Sequence, residues 1–290
     1  MNHVRFGHGR PLLLVHGLGG HWRSWTPVLP MLAAHREIVA VDLPGHGASP
    51  VEPGCGRFAG LADRLDAFLD DHRLAGVDVA GSSMGARLAL ELARRGRVGA
   101  VAAMDPGGFW RGWERTFFRL TIGASVRLLR VLRPALPALC GSAVGRTLLL
   151  PQLSHRPWRL DPVLTASELR AYADCPVFDE LVHDLAVGPP QTGPAAPGCR
   201  VAIGWGRRDR LCLPRQAARA TEAFPSATLQ WFDGCGHFPI WDRPEAAAAW
   251  VLAATDASAS ASSPAREPVA PPAADRVRPG ATPAPRHVPG

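Results

Sequence analysis

The 290-residue chain is 47 % hydrophobic with a mean hydropathy near zero, which fits one large domain, or a core with an insertion. All 32 of its Lys+Arg positions are arginine, and they are scattered, so the net charge of +7 does not predict a nucleic-acid partner. No uncharged apolar run reaches the roughly eighteen residues of a membrane span, which excludes a predicted transmembrane segment.

The six cysteines favour reduced thiols over a disulfide framework or a zinc site. They include no C-x-x-C pair and no spacing typical of zinc ligands. Nothing at the N-terminus resembles a signal peptide, because a motif of the fold begins within about ten residues. We therefore predict a cytoplasmic location and no metal site.

The first part of the chain alternates between apolar runs and helical periods. Residues 12–15 form a fully apolar run, typical of a central strand, which exits into the glycine-rich HGLGG at residues 16–20. In order, the pattern predicts strands at residues 12–15, 38–41, 77–80 and 98–104, and helices at residues 25–34, 58–72 and 86–95. Little chain precedes residue 12, so we expect the first strands of the core to be missing or reduced to about residues 2–6. This alternation predicts an α/β fold with a mostly parallel central sheet flanked by helices.

A serine stands at a sharp turn between one of these strands and its helix. GSSMG at residues 81–85 fits G-x-S-x-G, with an apolar strand before it and a helix after it. Gly81 and Gly85 remove side chains that would clash across the bend, and the strained turn lifts the hydroxyl of Ser83 above the sheet. We therefore predict that Ser83 is a nucleophile.

The alternation stops after the strand at 98–104 and resumes only at residue 200. Residues 109–198 are helical and interrupted by prolines, which predicts an inserted helical cap. The first cap helix has arginines on one side and an apolar set on the other, namely Trp113, Phe117, Leu120, Leu128, Val131 and Leu132. We expect the apolar side to pack on the core and the arginines to face water. A helix that rests on a membrane surface or grips an acidic substrate is the alternative.

The remaining elements complete the predicted core. Strands are expected at residues 200–204 and 227–232, and helices at residues 214–224 and 244–254. From residue 256 onward the composition is too poor in core-forming residues to fold, which predicts a disordered tail. The resulting division is core at 1–105, cap at 106–199, core at 200–255 and tail at 256–290.

Three complementary side chains follow predicted strands, at the edge where open parallel sheets bind ligands. They are Ser83, Asp209 and His237, in that order along the chain. An imidazole can take the serine proton near neutral pH and return it to a leaving group, while a carboxylate orients the imidazole. The pattern predicts a catalytic triad, with the backbone N–H groups of Leu18 and Met84 as the oxyanion hole.

Together these motifs make the chain similar to the α/β-hydrolase fold superfamily. The resemblance is carried by HGLGG (16–20), DLPGHGAS (42–49), GSSMG (81–85), GRRD (206–209) and GCGHF (234–238). It implies a helical cap over the site and no metal or organic cofactor. It also makes Asp105 the reserve acid, because some relatives supply the acid at that position.

The serine narrows the reactions that this fold supports. Haloalkane dehalogenases and epoxide hydrolases of the fold need aspartate at position 83, so they are excluded. We expect hydrolysis of a carboxylic ester, thioester or lactone through an acyl-enzyme on Ser83. A carbon–carbon bond hydrolase of ring-cleavage diketones, a cofactor-free perhydrolase or acyltransferase, and a non-catalytic ligand receptor remain alternatives.

Aromatic residues of the cap predict an apolar substrate pocket. The candidates are Trp110, Trp113, Phe117, Phe118 and Trp158, although core packing of the cap explains them equally well. A medium-length acyl or aromatic small molecule is the expected substrate. The sequence leaves the oligomeric state open.

Overall fold

The computed structural model describes residues 1–256 and has a seven-stranded sheet. Its strands are β1 (His3–Phe6), β2 (Pro11–Val15), β3 (Glu37–Val41), β4 (Asp78–Ser82), β5 (Ala100–Met104), β6 (Arg200–Gly206) and β7 (Thr228–Phe232). Their order is β1-β3-β2-β4-β5-β6-β7, and only the β1–β3 pair is antiparallel. The predicted fold class is therefore confirmed. From residue 257 onward, the predicted disordered tail lies outside the described residues.

Helices connect these strands. They are α1 (Leu29–Ala33), α2 (Phe58–Asp71), α3 (Met84–Arg94), α4 (Trp113–Leu132), α5 (Leu136–Gly141), α6 (Ala143–Leu149), α7 (Pro162–Asp174), α8 (Phe178–Val187), α9 (Gln216–Ala223), α10 (Pro239–Asp242) and α11 (Pro244–Ala254). None of the helices within residues 1–256 is long and apolar enough to cross a membrane.

The middle of the sheet forms the core. Every residue of β4 and β5 is buried, as is all of β2 and β3 after their first residues. Helix α3 packs against β4 and β5, and α11 packs against β5. Because β4 to β7 are parallel, their carboxyl ends meet at one edge, and the loops that follow them lie side by side there.

The long connection between β5 and β6 contains helices α4 to α8 and no strand. Within it, α4 packs against α7 and α8, and α5 packs against α6 and α7. We refer to residues 106–199 as the cap segment. That it forms a separate domain stays a prediction.

The predicted helix at residues 25–34 is shorter than expected. A 3-10 turn at Trp22–Trp25 is followed by α1, which begins only at Leu29. Pro30 lacks the backbone N–H that a continuous helix would need at that position, but it fits the first turn of a helix.

The orientation of α4 differs from the prediction. Its buried face includes four apolar residues spaced three or four apart, Phe118, Ile122, Val126 and Leu129. Four residues predicted to face the core are exposed instead, namely Trp113, Leu120, Leu128 and Val131. The helix carries two apolar stripes, and its sequence alone does not indicate which of them packs against the core.

Candidate active site

Ser83 stands at the turn between β4 and α3 with φ 58° and ψ −119°. A non-glycine residue rarely adopts a positive φ, so the backbone is strained at this point. The turn is also tight. A Cβ on Gly85 would lie 2.2 Å from the carbonyl oxygen of Val15, and one on Gly81 would lie 2.3 Å from that of Gly85. The strand, turn and helix together hold the Ser83 hydroxyl at the carboxyl end of β4.

His237 and Asp209 lie in line with this serine. The Oγ atom of Ser83 is 2.8 Å from His237 Nε2, and His237 Nδ1 is 2.8 Å from Asp209 Oδ2. Because a carboxylate only accepts, Nδ1 carries the proton and Nε2 accepts from the serine hydroxyl. Backbone N–H groups of Leu211 and Cys212 donate to Asp209 Oδ1 over 2.7 and 3.0 Å. This geometry can activate the serine by general-base catalysis.

Asp105, the predicted reserve acid, does not contact the histidine. Its Oδ1 accepts a hydrogen bond from the N–H of Gly206 over 2.8 Å, while Asp209 contacts His237. Burial, and then the negative charge of Asp209, raise the pKa of Asp105 well above its usual range. This shift disfavours a second negative charge beside Asp209 in the same buried region.

The two predicted oxyanion donors line the same cavity as the serine. Within residues 1–256, the backbone N–H groups of Leu18 and Met84 donate no hydrogen bond, so both are available to a ligand oxygen. His16 fixes the loop, because its Nδ1 donates to the carbonyl oxygen of Gly17 (2.7 Å) and its Nε2 accepts from the N–H of Leu43 (3.0 Å). Burial lowers the pKa of His16 to about 3, and the neutral ring can make both bonds.

The cavity above the serine has a volume of about 380 Å³ and mostly apolar walls. Of the five predicted aromatic residues, Trp110 and Phe118 line it, with ring centres 4.6 Å apart. The predictions for Trp113, Phe117 and Trp158 are wrong. Trp113 is exposed on α4, and Phe117 is half-buried beside it, with ring centres 5.7 Å apart. Trp158 lines a separate shallow groove.

One cation in the cavity wall was not predicted from the sequence. Arg87 lies one turn along α3 from the serine, and its Nη2 donates to the carbonyl oxygen of Pro189 over 2.7 Å. Its guanidinium stacks 4.0 Å from the ring centre of Phe58. Burial lowers the pKa of Arg87 to about 10, which leaves it charged at neutral pH. The four-residue spacing from Ser83 was a usable signal, because residues i and i+4 share a helix face.

A buried carboxyl joins the cap segment to the glycine-rich loop region. Glu168 of α7 accepts a hydrogen bond from Ser24 Oγ over 2.8 Å and lies 3.5 Å from His21 Nε2. Burial raises the pKa of Glu168 to about 8 and lowers that of His21. At pH 7 their contact therefore joins two mostly neutral groups. Tyr172, which hydrogen-bonds to Glu168, lines the cavity.

Asp242 secures the loop that carries His237. Its Oδ2 accepts hydrogen bonds from the N–H groups of Gly236 (2.7 Å) and His155 (2.8 Å), so one carboxylate holds both the histidine loop and the cap segment. No sequence pattern indicated this role, because the contact with His155 spans 87 positions.

Within residues 1–256, one group of side chains has donor atoms close enough together for a metal ion. Asp209, Cys212 and His237 place one ligand atom each within 4.8 Å of the others. Asp209 and His237 already hydrogen-bond to each other, and burial raises the pKa of Cys212 well above its usual range. A protonated thiol is a poor metal ligand, so we interpret the group as part of the serine site.

The chain is similar to curated proteins over most of its length. It is 32 % identical over 244 residues to the dihydrolipoyllysine-residue acetyltransferase component of an acetoin cleaving system from Cupriavidus necator. That match covers 82 % of this chain but only 61 % of the relative. It is also 29 % identical over 252 residues to 2-hydroxy-6-oxononadienedioate/2-hydroxy-6-oxononatrienedioate hydrolase 2 from Pseudomonas putida, covering 81 % of this chain and 83 % of that protein.

Solved structures share the fold. An esterase from Thermogutta terrifontis is 22 % identical with a TM-score of 0.67, over 86 % of this chain and 90 % of that one. The enol-lactonase of Burkholderia xenovorans is 20 % identical with a TM-score of 0.69, over 87 % and 94 % of the two chains. A family model for the alpha/beta hydrolase fold matches residues 10–244. Since that match includes strands β2 to β7, the serine turn and the histidine loop, the chain belongs to the α/β-hydrolase fold family.

Proposed function

We propose that this enzyme hydrolyses a carboxylic ester, thioester or lactone of a small apolar acyl molecule through an acyl-enzyme on Ser83. The observation that carries the proposal is the continuous hydrogen-bonded path from Ser83 through His237 to Asp209, with 2.8 Å at each step. A serine so placed gains a general base, and the mostly apolar cavity beside it suits an acyl group.

In the acylation step, Ser83 Oγ attacks the carbonyl carbon while its proton passes to His237 Nε2. The carboxylate of Asp209 stabilises the resulting imidazolium, and the N–H groups of Leu18 and Met84 donate to the oxyanion. The bond from the carbonyl carbon to the leaving oxygen or sulfur then breaks. The leaving group takes the proton from His237, and the acyl group remains on Ser83.

In the deacylation step, a water molecule gives a proton to His237 as its oxygen attacks the acyl carbon. The same two N–H groups stabilise the second oxyanion. When this intermediate collapses, Ser83 Oγ leaves and recovers the proton from His237. The product is a carboxylic acid, and the enzyme returns to its starting state.

The test is hydrolysis of chromogenic esters graded from acetyl to decanoyl by the wild-type enzyme and by Ser83→Ala. We expect a loss of about 10⁴-fold or more in kcat/KM for Ser83→Ala. Ser82→Ala is the matched control, because the neighbouring hydroxyl is buried and has no hydrogen-bond partner within residues 1–256. The proposal fails if both variants keep turnover, or if a folded wild-type enzyme cleaves none of the esters.

A second candidate is carbon–carbon bond hydrolysis of a ring-cleavage diketone that carries a carboxylate. The buried cation Arg87 in the cavity wall favours it, and so does the dioate in the name of the Pseudomonas putida relative. Arg87→Gln separates the two candidates. We expect it to raise KM at least about tenfold for a carboxylate-bearing dienoate diketone and to change KM little for an uncharged ester. Product analysis with both substrates shows which bond is cut.

Acyl transfer is a further outcome of the same assays. The name of the Cupriavidus necator relative includes acetyltransferase, and an acyl-enzyme can pass its acyl group to a thiol or alcohol as well as to water. Adding an acceptor thiol and measuring both products gives the partition. Ligand binding without turnover would favour a receptor. The cytoplasmic location and the lack of a nucleic-acid partner remain predictions.

A further inference from the structure

The outer side of α4 carries an apolar stripe that is exposed to solvent. Trp113, Leu120, Leu128 and Val131 expose between 53 and 77 % of their surface. Their successive spacings of seven, eight and three residues place them on one helix face. The opposite face, with Phe118 and Ile122, already packs inward.

Two further exposed apolar side chains lie on α6, which borders the same cavity. Val144 and Leu148 of α6 expose 71 and 74 % of their surface. Leu128 and Leu148 also line the cavity that contains Ser83. We name the surface formed by Leu120, Leu128, Val131, Val144 and Leu148 the cap face. Because two of its residues are both exposed and part of the cavity wall, the cap face lies at an entrance to the site.

The chain segment that carries the cap face contains charges of one sign. Residues 115–160 contain eight arginines and no aspartate or glutamate. Arg119 and Arg127 each precede an exposed leucine of the stripe by one position, so both lie on the same flank of it. Within the described residues neither has an acidic partner, whereas Arg130 and Arg133 of the same region pair with Asp179 and Asp174.

We infer that the cap face docks on the surface of an anionic phospholipid bilayer. Exposed leucine and valine side chains gain free energy by entering the acyl boundary, while Arg119 and Arg127 face the acidic head groups. A second copy of this chain would bring these arginines onto a surface of like charge, so charge complementarity favours the lipid. An acyl substrate dissolved in the bilayer then enters between Leu128 and Leu148 without crossing water. This docking goes beyond the proposed reaction and does not depend on it.

The test is co-sedimentation of the purified 290-residue chain with vesicles of phosphatidylcholine alone or mixed with phosphatidylglycerol. We expect binding that rises with the phosphatidylglycerol fraction. The double variant Leu120→Gln/Val131→Gln should lower the partition coefficient about tenfold or more, because it removes two apolar side chains that do not line the cavity. The matched control, Val51→Gln/Val163→Gln, alters two similarly exposed valines, the second of which lines a separate groove with Phe6 and Trp22, and should bind as wild type does.

A second variant tests the charge. Arg119→Gln/Arg127→Gln should lose about fivefold in binding per arginine on mixed vesicles and little on phosphatidylcholine alone. All variants should hydrolyse a soluble short-chain ester at the wild-type rate, which separates failed docking from a failed reaction. The inference is overturned if wild type does not bind mixed vesicles, if binding ignores the phosphatidylglycerol fraction, or if Leu120→Gln/Val131→Gln binds normally. Analytical ultracentrifugation showing a dimer that this variant dissociates would also overturn it, in favour of self-association.

Discussion

Replacing Glu168 by glutamine should remove a pH dependence that this buried carboxyl imposes on stability. The side chain is wholly buried, and the groups that face it are Ser24, His21, Tyr172 and the charge of Asp42. Burial raises its pKa from 4.5 to about 8. The native state therefore keeps the proton up to about pH 8, while the unfolded chain releases it near pH 4.5.

The sign of the effect follows from this difference. Between pH 4.5 and 8 the unfolded state binds fewer protons than the native state, so the free energy of unfolding falls as pH rises. The contribution of Glu168 is fully present below pH 4.5 and is lost as pH rises through 8. At about 1.4 kcal/mol per pKa unit, the change over the whole window is about 5 kcal/mol. A glutamine side chain does not titrate and removes the dependence.

The assay is urea unfolding of wild type and Glu168→Gln at pH 5, 6, 7 and 8, followed by tryptophan fluorescence. The difference between the two proteins is the relevant quantity, because burial lowers the pKa of His16 and His46 and these groups act in the opposite direction below pH 6.5. We expect wild type to lose several kcal/mol relative to Glu168→Gln between pH 5 and 8. Glu114→Gln is the control, since hydrogen bonds from arginines outweigh burial and lower the pKa of Glu114, leaving this window flat. Parallel curves for wild type and Glu168→Gln would refute the reasoning.

Three further predictions concern the site. Asp209→Asn should lower kcat about 10⁴-fold by favouring the wrong tautomer of His237. Asp105→Asn should stay within about tenfold, because Asp105 bonds to the N–H of Gly206 and not to His237; equal losses in steady-state assays would contradict this. Ile122→Trp should shorten the longest ester cleaved, because Ile122 lines the cavity, and an unchanged chain-length profile would show that the acyl group lies elsewhere. Asp242→Ala should lower kcat by about 10- to 100-fold, because the loop that carries His237 loses the hydrogen bonds to Asp242. The measurement is kcat and kcat/KM as a function of pH, and an unaltered rate would show that Asp242 does not position His237.

Much of the fold could be predicted from local patterns. The apolar run at residues 12–15, the GSSMG turn and the strand–helix alternation predicted a mostly parallel sheet, and the structure confirms it. The elements that carry Ser83 and His237 lie within a few residues of their predicted bounds. Such elements are well predicted because period and turn chemistry are local properties of the chain.

The sequence by itself determined the sheet, the serine turn and the order Ser83, Asp209, His237. Only the tertiary structure decided which apolar stripe of α4 enters the core and which stays exposed. It also decided that Arg87 lies in the cavity wall, that Glu168 joins the cap segment to the loop, and that Asp242 holds the histidine loop. The physical reason is that the environment of a side chain depends on its packed neighbours, and here those neighbours come from residues about 90 to 150 positions away.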